Sequence, residues 1–169
     1  MTVLRRFLLL WIFFFWQAGF FFYGSVVVAI GTVVLGSAKE QGVISRVVAI
    51  GVNIAGAVAL AAWLWDLLAE RGPFLRRRWG AWAFQVATLA TRAILPPLMD
   101  AQFDTENREF HHFRTFRALH RAYLWTHTFQ WLGSLLLTWW TLRAWRANDL
   151  GCGRQADTEK GRQGDKGRE

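Results

Sequence analysis

Residues 120–142 read HRAYLWTHTFQWLGSLLLTWWTL. From Ala122 to Leu142 there is no Asp, Glu, Lys or Arg, and about 20 residues suffice for a helix to cross a bilayer. Within this stretch His120, Tyr123, His127, Gln130, Ser134, Thr138 and Thr141 recur at helical spacing. At about 100° per residue they fall on one face within an arc of roughly 80°. The opposite face carries Trp125, Phe129, Leu132, Leu135, Leu136, Trp139 and Trp140. Polar groups are costly in hydrocarbon unless they meet other polar groups, so the stripe is expected to face neighbouring helices or a wet cavity.

The rest of the chain repeats the apolar theme. It has 169 residues, 53% hydrophobic and 16% aromatic, with 11 Trp and a net charge of +8. The apolar residues are clustered, unlike those of an ordinary soluble domain. The basic residues sit at the ends of apolar runs, which reads as membrane topology rather than nucleic-acid binding, and no nucleic-acid motif accompanies them. The single cysteine, Cys152, excludes an intrachain disulfide and a cysteine metal cluster.

Four apolar segments stand out, near residues 7–35, 43–65, 79–95 and 122–142. The first far exceeds a signal-peptide core of roughly 7–15 residues and reads as a retained helix. The last is expected to continue outward through an amphipathic stretch with Phe110, Phe113, Phe116 and Leu119, giving a helix over 106–146. Pro96 and Pro97 are expected to end the third helix. Residues 150–169, polar and Gly-rich, are expected to form a disordered tail after a transmembrane domain of residues 1–149. The expected fold is thus an all-α integral membrane four-helix bundle. With both termini inside, most of the 20 Lys and Arg residues fall on the cytoplasmic side. Trp11, Trp63, Trp65, Trp79, Trp82, Trp139, Trp140 and Trp145 fall at the same inner ends, as a one-sided aromatic belt. The expected setting is a multi-pass protein of a bacterial inner membrane.

The other helices offer partners for the stripe. Gln17 lies on the first and Asn53 on the second. On the third, Gln85, Thr88 and Arg92 share a face at i, +3 and +7. Arg92 is costly inside a span and needs either a partner or a route to the head groups by snorkelling. Its depth matches that of His120, Tyr123 and His127, with Gln130 a turn further in. Together with Arg46 and Asn53 these residues compose an outer-half polar cluster suited to an anion or polar ligand. The acids Asp100, Asp104, Glu106 and Glu109 read as a solvated, salt-bridged loop. No catalytic set is visible. The four histidines, His111, His112, His120 and His127, lie on one stretch. Two His at i and i+7 stand about 10 Å apart along a helix, so they cannot flank one iron. No cofactor is therefore expected, with haem or copper kept as an alternative.

Three short motifs carry a family resemblance. They are Gly19-Phe20-Phe21-Phe22 with Gly24, Leu95-Pro96-Pro97, and Phe116-Arg117-Ala118-Leu119-His120-Arg121-Ala122-Tyr123. With them the chain resembles the transmembrane protein 205-like family, also called domain of unknown function 4149, over most of residues 16–145. The resemblance implies a four-helix membrane protein whose biochemical role is not established. That family looks distantly similar to copper-resistance D and to protoporphyrinogen-oxidising membrane proteins, which hold haem with a first-helix histidine. This chain has Gln17, Gly19 and Tyr23 there, so those sites are not carried over. The leading expectation is a non-enzymatic membrane protein that binds or passes a small solute in a buried polar seam. The alternatives are a haem- or metal-binding redox protein and an accessory subunit of a membrane complex. Expected partners are the bilayer and either another membrane protein or a second copy.

Overall fold

A computed structural model describes the backbone of residues 2–70, 72–104, 109–110 and 112–166. It describes their side chains apart from residues 2, 38–39, 103–104, 109–110 and 152–166. Helix α1 (Thr2–Phe22) runs through a π turn (Tyr23–Val27) into α2 (Val28–Leu35). Gly36 then adopts the left-handed conformation, with φ 62°, that ends a helix cheaply. Ser37 caps α3 (Ala38–Ala69) by accepting from the Glu40 N–H at 3.4 Å. Helix α4 (Leu75–Asp100) follows a turn in which Phe74 is left-handed, with φ 69°. Its ring stacks on Trp140 at 5.5 Å, which fixes that turn against α5 (Phe113–Lys166).

The fold is all-helical, and two of its expected boundaries are corrected. Helix α4 does not end at Pro96 but carries both prolines to Asp100. Proline φ is itself helical, and the last turn is rejoined by Ala101 N–H donating to the Pro97 carbonyl at 3.1 Å. The fourth long helix starts at Phe113 rather than near residue 106. Before it, Phe103 pairs with Phe110 and Asp104 with Glu109 as a two-residue antiparallel bridge. That pairing satisfies backbone groups where the chain reverses. Beyond residue 150 the described backbone is helical to Lys166. Finally, Trp63 and Trp145 of the expected belt are buried inside the bundle, whereas Trp11, Trp65 and Trp139 are exposed.

The helices run antiparallel in sequence order. Arg5, Asp66, Arg78 and Asp149 meet at one end, and Tyr23 meets Ser45 near the other. Helix α5 packs chiefly on α4, α4 on α3, and α3 on α1 and α2. The first and last helices touch through a few side chains rather than along a face. The α4–α5 approach is close at Gly133, where a Cβ would lie 2.7 Å from the Gln85 Nε2. Phe13, Trp16, Ala59, Trp63 and Leu137 form the apolar core.

Most of the other apolar side chains point outward. Phe14, Phe15, Ile54, Ile94, Leu132 and Leu136 are exposed, while Asp66, Arg78, Gln85, Arg92, Gln130, Ser134 and Thr141 are buried. That inverts the pattern of a water-soluble fold. Two helical stretches, Val3–Leu35 and Glu40–Ala69, are long and apolar enough to cross a membrane. The polar inward faces of α4 and α5 lower their mean hydropathy below that level.

Candidate functional site

Arg92 lies on the inward face of α4 with no exposed surface. It does not snorkel toward head groups. Its Nη1 donates to the Gln130 Oε1 at 2.6 Å, joining α4 to α5. The Gln85 Nε2 in turn donates to the Gln130 main-chain carbonyl at 2.8 Å. The Thr88 hydroxyl donates to the Gln85 carbonyl at 2.9 Å. The guanidinium carbon stands 5.0 Å from the Phe20 ring centre, a cation–π contact with α1. His127 stacks on the same ring at 4.6 Å and meets Tyr123 edge-on at 4.5 Å. Arg92, Tyr123 and His127 are therefore assembled around Phe20.

These groups border a cavity of about 490 Å³, within the roughly 300–1,000 Å³ of small-molecule sites. Its walls come from Phe20, Phe21 and Val28 on the first rod, from Ala49 and Val52 on α3, and from Trp131 on α5. The π turn contributes Tyr23 and Gly24, and the Tyr23 hydroxyl donates to Ser45 Oγ at 2.9 Å. Such turns recur at functional sites because they widen a helix locally. A Cβ built at Gly24 would meet nothing within 4 Å. The cavity's mouth carries exposed Phe21, Gly24, Leu124 and Thr128, so it opens sideways between α1 and α5.

Several buried polar atoms here lack a hydrogen-bond partner: Arg92 Nε and Nη2, His127 Nε2, Gln130 Nε2 and Gln85 Oε1. An unsatisfied buried group costs about 1–3 kcal/mol, and more when charged. Among the described residues no Asp or Glu lines the cavity.

The remaining expected residues stand elsewhere. His120 reaches the rim and is exposed, stacked on Phe116 at 6.1 Å. Gln17 and Asn53 are half-buried, do not line the cavity, and each leaves its side-chain oxygen unpaired. Arg46 leaves the expected cluster altogether and pairs with Asp100 at 2.8 Å on the surface. Among the described residues no three of His, Cys, Asp and Glu come together to hold a metal.

Sequence reasoning missed a second buried polar centre at the opposite end. Asp66 on α3 is wholly buried and pairs with Arg78 of α4 and with Arg5 Nε of α1 at 3.2 Å. Glu70 takes Arg5 at 2.6 Å and Arg78 at 3.5 Å. Arg78 Nε and Trp63 Nε1 both donate to Thr141 Oγ1 of α5, at 3.3 and 3.0 Å. Arg6 donates to Asp149 at 2.8 Å and lies over Trp145. All four long helices meet in this network. Asp66 and Glu70, one turn apart beside the Arg76–Arg78 run, are the signal that could have revealed it.

The chain matches no protein-family model, no curated protein and no solved structure.

Proposed function

We propose that this chain is a four-span integral membrane protein that holds a small solute in the cavity between α1 and α5. The observation that carries the reading is Arg92, a wholly buried cation without an acid, beside a cavity of ligand size. A charge in that position is rare in a span and marks a functional site by default. Membrane insertion is supported by the outward apolar faces of all four rods, including Ile94 on α4 and Leu136 on α5. The ends that carry Arg5, Arg78 and Arg146 lie in the cytoplasm under the positive-inside rule. The resemblance to the transmembrane protein 205-like family belongs to the same reading. The proposed role is binding or passage of that solute.

Native mass spectrometry of the purified full chain tests this. The wild type is expected to carry a bound small molecule in near-stoichiometric amount. Gly24→Phe, which fills the cavity without removing a polar group, is expected to lose it. Equal ligand content in the two proteins, or none in either, would contradict the reading.

A further inference from the structure

We propose that the cavity's ligand is a single-chain amphiphile with a carboxylate head, taken sideways from the bilayer and seated on the Nε–Nη2 edge of Arg92. The inference rests on the solute-binding reading and names its class.

The head is set by which donors remain free. Gln130 occupies Nη1, so Nε and Nη2 are left without partners. Those two N–H groups point the same way and form a fork that matches the two oxygens of a carboxylate. Gln130 Nε2 is a further unpaired donor and Gln85 Oε1 an unpaired acceptor, but neither glutamine lines the cavity. Among the described lining residues Arg92 offers two free donors and there is no acid, which suits a group that only accepts. One fixed cation balances one negative charge, which favours a monoanion over a phosphate dianion.

The tail is set by the walls and the opening. Phe21, Val28, Val52 and Trp131 offer an apolar surface, and the space suits one acyl chain rather than two. Beyond the Phe20–His127 stack, the mouth between the first helix and α5 carries exposed Phe21 and Leu124. It therefore faces acyl chains, where such a ligand is concentrated. The Phe20 ring lies against the face of the guanidinium, 5.0 Å from its central carbon, and so leaves the edge donors for the head.

The test uses the full chain in phosphatidylcholine nanodiscs with palmitate bearing a mid-chain diazirine. On irradiation, cross-links are expected on the segments that contain Gly24 and Leu124. Unlabelled palmitate should abolish them, whereas millimolar acetate or inorganic phosphate should not. The methyl ester of the probe should label about tenfold less or worse, because it loses the charge-assisted fork. Arg92→Gln should give the same loss, and Gly24→Phe should abolish labelling with the charge intact. Equal labelling by acid and ester overturns the carboxylate class but leaves solute binding standing. Displacement by acetate or phosphate overturns the bilayer source in favour of a free anion. No cavity labelling, with neither acetate nor phosphate bound, overturns this proposal and the solute reading together.

Discussion

Asp66 and Arg92 are buried charges with opposite circumstances. Asp66 is matched by Arg78 and Arg5, whereas Arg92 meets neutral groups, Gln130 and Tyr123. Removing one member of a buried pair leaves the other uncompensated, at a cost of about 3–5 kcal/mol. Asp66→Asn is accordingly expected to lower the thermal midpoint in detergent sharply. The double change Asp66→Leu with Arg78→Met should recover much of the loss. An unchanged midpoint for Asp66→Asn would contradict the network. Its outermost link is sensitive to pH. The hydrogen bond from Arg6 holds the Asp149 carboxyl below the usual carboxylate range. A depressed carboxylate contributes stability that is present above its unfolded value, about 3.9, and is lost as pH falls through the lower folded value. The midpoint difference between wild type and Asp149→Asn is therefore expected to shrink as pH falls from about 5 to 3. A difference that is flat across that window would sink the assignment.

At the scale of elements, helix contacts are governed by where small residues lie. On α3, a Cβ at Gly56 would stand 2.9 Å from the Trp16 ring of α1, while one at Gly51 would meet nothing within 4 Å. Both changes to Ala gain helix propensity, so packing alone separates them. Gly56→Ala should destabilise by about 1–3 kcal/mol through overpacking, and Gly51→Ala should be neutral or slightly stabilising. Equal midpoints would show that α1 and α3 do not approach as described. The α5 stripe was legible from sequence because its polar residues recur at helical spacing among apolar ones, and Gln130, Ser134 and Thr141 do turn inward. The π turn was not legible, since Tyr23–Val27 has the composition of any apolar helix. The prolines of α4 misled because one turn beyond them is enough to rejoin the backbone. Asp66 was passed over because it sits at the end of an apolar run, where an acid reads as a surface residue. Its burial depends on Arg5 and Arg78 arriving from other helices, which no local pattern encodes.

At the scale of the whole molecule, the helical bundle and its buried polar faces follow from the sequence pattern, while the cavity does not. Phe20, Tyr23, Ser45 and Trp131 belong to it only through tertiary packing of three different helical segments, which no local pattern encodes. The central claim is that all four rods cross the membrane, although among the described residues only Val3–Leu35 and Glu40–Ala69 pass on length and hydropathy. The two alternatives place the turn after α4 on opposite sides. If only the first two rods cross, both Gln102 and Cys152 remain in the cytoplasm. If all four cross, Gln102 lies outside and Cys152 inside. The decisive measurement is labelling with a membrane-impermeant maleimide of two proteins in intact cells, the wild type and Gln102→Cys in a Cys152→Ser background. The four-span account requires Gln102→Cys to label in intact cells and Cys152 to label only after permeabilisation. Protection of both sites until permeabilisation, or labelling of Cys152 in intact cells, would contradict it.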